Sequence, residues 1–106
     1  MLQMTLHIRF LLLFQIFLLG CAPEMNDVIK EWTEKGWSQV RVHGVEGNFT
    51  RQGTLMNEKA QALEASWVVN GKRKTKIYSQ DSHNYLLLRF FREDGDEFAV
   101  VMRKRK

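Results

Sequence analysis

The stretch YLLLRFFREDGDEFAVVMR, residues 85–103, decides the fold. Two apolar runs flank Asp94-Gly95, a dipeptide that closes two-residue hairpins. With those two residues as the turn, Arg92 faces Glu97, Phe91 faces Phe98, Leu88 faces Val101 and Leu87 faces Met102. An ion pair and an aromatic pair then land on opposed positions, which favours that register. Within residues 85–92, Leu86, Leu88 and Phe90 line one face, and Leu87 and Phe91 the other. A strand that is apolar on both faces must be covered on both. A helix upstream can cover one face, and curvature of the sheet the other.

Upstream, residues 61–69 place Leu63, Ala65, Trp67 and Val69 on one face, and Asn70-Gly71 is a strong hairpin signal. Residues 74–78 form its return strand. Residues 37–43 alternate, with Val40 and Val42 on one face and Arg41 and His43 on the other. Residues 47–60 carry two signals. Met56, Ala60 and Leu63 are helically spaced, whereas Gly47, Gly53 and Thr54 favour bent strand, and the reading taken here is strand. Residues 26–35 read as a helix, because Met25, Val28, Ile29 and Trp32 form one apolar stripe. Asn26 or Asp27 is placed to cap its start, Gly36 to end it, and Glu31 and Lys35 to pair across one turn. Its opposite face is mostly acidic: Glu24, Asp27, Glu31 and Glu34 against Lys30. An anionic membrane would repel that face, so the apolar stripe is expected to pack on the core. The predicted fold is α+β: an N-terminal helix on a curved antiparallel sheet of five or six strands, a meander, spanning residues 26–106.

The chain has 106 residues, 44% of them hydrophobic and 26% charged. That is the size and composition of one globular domain. Its single cysteine excludes an intrachain disulfide and a cysteine-based metal site. Nine aromatic residues after residue 20, from Trp32 to Phe98, supply a core.

The apolar content is concentrated at residues 10–19, which read FLLLFQIFLL behind Arg9 and ahead of Gly20 and Cys21. A basic start, a short apolar run and a small residue at its end form the layout of a secretory leader. The run is about half the roughly 20 residues needed to span a bilayer. The junction Leu18-Leu19-Gly20-Cys21 resembles the lipobox of bacterial lipoproteins. The resemblance implies cleavage between Gly20 and Cys21 and a diacylglyceryl thioether on Cys21. Leu18 stands as the large apolar residue and Gly20 as the small residue before the cut. Leu19 occupies a place that more often holds a small or β-branched residue. The chain then divides into a signal peptide (1–20), a lipidated tether (21–25) and the domain (26–106). Lipoproteins of this kind that lack Asp after the cysteine usually travel to the outer membrane of two-membrane bacteria. Ala22 fits that pattern, so the expected place is a lipid anchor in the outer membrane, facing the periplasm.

Motifs for catalysis are sparse. There is no Gly-x-Ser-x-Gly, phosphate-binding glycine loop or His-Glu-x-x-His. His83 reads as a solvated loop residue, His43 as an exposed strand residue or a satisfied core one, and Asp94 and Asp96 as turn chemistry. The expectation is no enzyme, no cofactor and no metal site, with a small hydrolase as the least favoured alternative.

The charge distribution is the distinctive feature. Sixteen basic residues stand against twelve acidic ones, and removing Arg9 with the leader leaves fifteen. Eight of these fall in two clusters: Lys72, Arg73, Lys74 and Lys76, and Arg103, Lys104, Arg105 and Lys106. They are candidate sites for a polyanion such as lipid phosphate or lipopolysaccharide, or for an acidic partner protein. The solvated alternative is a lysine-guarded strand edge and a frayed tail. Export disfavours nucleic acid. In a simple meander the Asn70-Gly71 and Asp94-Gly95 turns share one end of the sheet, which brings the first cluster toward Glu93, Asp94, Asp96 and Glu97. The leading expectation is a non-catalytic, lipid-anchored module that binds an envelope protein, as an accessory or pilot subunit, an inhibitor, or an immunity or exclusion factor. The alternative is a binder of anionic envelope components.

Overall fold

The computed structural model describes residues 24–59, 61–79 and 81–106. The leader and its lipobox, Leu18, Leu19, Gly20 and Cys21, lie outside the described residues. Among the described residues one helix, α1 (Met25–Glu34), precedes six strands: β1 (Ser38–His43), β2 (Phe49–Met56), β3 (Leu63–Val69), β4 (Lys72–Tyr78), β5 (His83–Arg92) and β6 (Glu97–Arg105). The fold is α+β, a helix followed by a six-stranded antiparallel sheet in a meander-like order.

The helix follows its apolar stripe to within one residue of the expected bounds. Its N-cap is Glu24, with no side-chain cap, so Asn26 and Asp27 lie inside the first turn rather than capping it. The Glu24 carbonyl takes the Asp27 and Val28 amides instead, and the Asp27 carboxylate favours the positive end of the helix dipole. At the other end Gly36, at φ 98°, donates to the Thr33 carbonyl and Trp37 to the Trp32 carbonyl, a Schellman closure. Glu31 and Lys35 pair at 3.5 Å.

Two hairpins, β3–β4 and β5–β6, are local in sequence. The other contacts join distant strands: β2 flanks β5, and the free side of β6 is shared between β1 and β3. β3 meets β6 at the single pair Val68–Glu97 and then diverges. That divergence gives the central strands two apolar covers. On one face Leu86, Leu88, Phe90, Phe98, Val100 and Met102 pack with Val28 and Trp37, with Ile29 and Trp32 of the helix stripe against them. On the other face Tyr85, Leu87, Ala99 and Val101 pack with Leu63, Ala65 and Tyr78 of the β3–β4 hairpin. Burying a large apolar side chain contributes about 1.5–3 kcal/mol. The fully buried Phe90, Phe98, Leu86, Leu87 and Leu88 therefore anchor both layers.

The β5–β6 register differs from the sequence expectation by one residue. Phe91 pairs with Glu97, Phe90 with Phe98, Leu88 with Val100 and Leu87 with Val101. The reason lies in the turn. A two-residue type I′ turn needs positive φ at both central residues, and here only Gly95 has it, at 94°. The Gly95 amide donates to the Arg92 carbonyl, and the Arg92 amide to Asp96, closing a three-residue loop over Glu93, Asp94 and Gly95. That register brings Phe90 and Phe98, both fully buried, into stacking at 4.8 Å between ring centroids. Arg92 pairs with Asp94 at 2.6 Å rather than with Glu97. Asn70-Gly71 does form the tight turn, with φ 52° and 79° and Val69 opposite Lys72.

Three further positions depart from expectation. A bulge between Gln39 and Arg41 breaks the alternation of β1, so Val40 does not join Val42 on the core side and is 40% exposed. The return strand begins at Lys72, two residues before the expected start. His83 is the first residue of β5 rather than a loop residue, and its amide donates to the Asp81 carboxylate.

Candidate functional site

The two glycine turns lie at one end of the sheet, and a single carboxylate ties them together. Asp96 accepts the Asn70 amide on Oδ2 at 3.0 Å and the Gly71 amide on Oδ1 at 3.1 Å. Those two backbone donors hold the Asp96 carboxyl below the usual aspartate range. Asp94 Oδ1 accepts the Asp96 amide, which orients the segment.

Beside this junction Glu97 gathers two arginines. Arg73 Nη2 lies 2.9 Å from Glu97 Oε2, and Arg89 Nη2 lies 2.6 Å from Oε1. Burial pushes the Glu97 carboxyl up, but hydrogen bonds and charge from Arg89 and Arg73 outweigh it and hold the group below its ordinary value. Arg73 also donates to Ser66 Oγ. The approach of the first basic cluster to the acidic turn is therefore real for Arg73, which reaches Glu97 while staying half-exposed.

Lys72, Lys74 and Lys76 do not share that fate. All three are exposed, fall at alternate positions of β4, and take part in none of the ion pairs among the described residues. Lys76 Nζ sits 5.3 Å from the Tyr78 ring centroid. The terminal cluster is likewise divided. Lys104 Nζ donates to the Lys35 carbonyl at 3.0 Å and so serves the C-terminus of α1. Arg103, Arg105 and Lys106 are exposed. The eight candidate residues are thus two structural cations, Arg73 and Lys104, and two exposed groups: the lysine row of β4 and the end of β6.

A second assembly was not visible in the sequence. His43 from β1, Trp67 from β3 and Tyr78 from β4 meet on the hairpin-covered face. The His43 and Trp67 rings stack at 4.0 Å with an interplanar angle of 11°, and His43 Nε2 is hydrogen-bonded to the Tyr78 hydroxyl at 2.6 Å. Burial lowers the His43 pKa, and the charges of Arg41 and Lys76 lower it further, so the imidazole is neutral at neutral pH. Burial raises the Tyr78 pKa. His43 is 7% exposed, which selects the satisfied core reading of the two offered by the sequence. A neutral, stacked, hydrogen-bonded ring is held in place rather than presented to solvent. Its effect is to fasten β1 to the β3–β4 hairpin and so to fix the position of β4. No sequence signal links positions 43, 67 and 78, since their meeting needs the β1–β6 pairing.

No protein-family model matches the chain, and neither the curated proteins nor the solved structures give a match to it.

Proposed function

We propose that this chain is a lipid-anchored envelope lipoprotein whose folded domain binds another protein without catalysing a reaction. The observation that carries the reading is the run Leu18-Leu19-Gly20-Cys21 at the end of an apolar leader. The start of α1 at Met25, four residues beyond Cys21, adds to it, because so short a tether would hold the domain close to the membrane face. One acyl chain binds a membrane only marginally and reversibly, whereas two or more make the anchoring stable. A tethered domain meets its partner at high effective concentration, so modest affinity suffices. Ala22 after the cysteine supports the outer membrane, with the domain in the periplasm, as its place. The test is the mass of the membrane-extracted protein, with Cys21→Ala as the control. A chain that begins at Cys21 and carries acyl groups supports the anchor; an unmodified or differently cleaved chain removes it. Photo-cross-linking in intact cells from several exposed positions tests the second half. Adducts with one envelope protein support it, and no protein adduct from any position removes it.

The exposed lysine row also favours a second reading, in which the basic residues hold an anionic envelope component such as lipopolysaccharide or lipid phosphate. Such binding would weaken steeply with ionic strength. Retention at high salt excludes it.

A further inference from the structure

We infer that the outer edge of β4 pairs with an extended acidic strand of a partner protein, adding a strand to this sheet. The inference rests on the protein-binding reading above and names the partner's chemistry. The starting point is which edges of the sheet are open. Among the described residues β1, β2 and β4 each pair with a strand on one side only. Two of the three carry backbone irregularities that discourage further pairing. β1 has a bulge between Gln39 and Arg41; β2 has one between Phe49 and Arg51 and a glycine at position 53. β4 has neither. Its seven residues pair with β3 in unbroken register from Val69–Lys72 to Leu63–Tyr78.

The tight turn also sets which backbone groups face outward. A two-residue hairpin makes its flanking residues, Val69 and Lys72, a hydrogen-bonded pair, and bonded pairs then alternate along the ladder. Lys72, Lys74, Lys76 and Tyr78 therefore spend their amides on β3, and Arg73, Thr75 and Ile77 turn theirs away from it. These three are the template for an incoming strand.

The side chains say what that strand carries. Lys72, Lys74 and Lys76 form a row of three charges on one face of β4. Thr75 and Ile77, the latter 56% exposed, lie on the other face with Arg73, whose charge is spent on Glu97. A second copy of this chain is the wrong occupant. Pairing two β4 edges through residues 73, 75 and 77 sets lysine rows opposite one another, and like charges in opposed positions are destabilising. A strand with Asp or Glu at every second position, and β-branched or apolar residues between, satisfies both faces. Backbone hydrogen bonds then supply affinity and the alternation supplies specificity.

The test uses the full-length protein in detergent and a fluorescent peptide of about ten residues alternating Glu with Val or Thr. Anisotropy should report binding. A peptide of the same composition with its glutamates in one block should bind at least about tenfold more weakly. Alternate N-methylation of the peptide removes its donors without touching the protein, and should abolish binding. The triple variant Lys72→Glu, Lys74→Glu, Lys76→Glu should lose the acidic peptide and acquire an alternating Lys–Val one. Equal binding of the block peptide, or of the N-methylated one, would overturn strand pairing in favour of charge alone. Failure of the alternating peptide, with phosphatidylglycerol vesicles bound through the same three lysines, would assign the row to lipid and overturn the inference. Neither result touches the protein-binding reading, which falls only if cells yield no cross-linked protein from any exposed position.

Discussion

Replacing Glu97 with Gln should lower the stability of the domain by about 2 kcal/mol. The side chain is 11% exposed and receives Arg73 and Arg89. Removing one member of a buried ion pair costs about 3–5 kcal/mol, because the remaining charge is left without compensation. That full figure does not apply here. Arg73 is 51% exposed at its side chain and regains water, so its share is about 0–1 kcal/mol. Arg89 is 29% exposed, and among the described residues its buried Nε has no hydrogen-bond partner, so the Nη2 bond to Glu97 carries the larger part, about 1.5–3 kcal/mol. Glutamine keeps the shape and one acceptor, which recovers some of this. Urea unfolding at neutral pH measures the loss. For a domain of this size 1 kcal/mol corresponds to about 4–8 °C in Tm, so a drop near 10 °C is expected. The pH dependence is a second check. The folded-state pKa of Glu97 lies below its ordinary value of 4.5. Its contribution is therefore complete above that value and is lost as pH falls through the folded pKa. The glutamine variant should lack this part of the acid destabilisation. A loss under about 0.5 kcal/mol, or an unchanged acid profile, would refute the assignment of Glu97 as the charge that holds β4, β5 and β6 together.

Asp96→Asn should speed hydrogen exchange at the Asn70 and Gly71 amides severalfold, since the variant keeps at most one of the two acceptors; unchanged exchange would show that the turns do not depend on the carboxylate. His43 should titrate by NMR with a midpoint below 6.5, because burial and the charges of Arg41 and Lys76 disfavour the imidazolium. The stability it confers is then present above 6.5 and declines as pH falls toward that midpoint, and a midpoint above 6.5 would contradict the buried pairing with Tyr78. Lys104→Gln should cost about 0.5 kcal/mol, as it removes a cation from the C-terminal carbonyl of α1. Arg105→Gln is the comparison, and urea midpoints that fall equally for both would deny Lys104 its particular role.

The helix and both hairpins were legible because each is encoded over a short range. Met25, Val28, Ile29 and Trp32 repeat with helical spacing, and Asn70-Gly71 carries its own turn chemistry. The loop at residues 93–95 is one residue longer than the two-residue turn that Asp94-Gly95 signals. Positive φ at Gly95 alone suits a three-residue loop, and the stacking of Phe90 on Phe98 agrees with it. The sequence showed the eight cations but not their division, since Arg73 and Lys104 find their partners 24 and 69 residues away.

The order of residues determined the class of fold, the apolar character of β5 on both faces, and the lysine alternation of β4. Those properties are periodic, and a period is a property of neighbours along the chain. Tertiary structure alone decided that His43, Trp67 and Tyr78 meet, that β6 divides one side between β1 and β3, and that β4 is left as an edge of unbroken register. Each of these depends on which strands pair across long stretches of chain, where burial of the whole sheet, rather than any local preference, selects the partner.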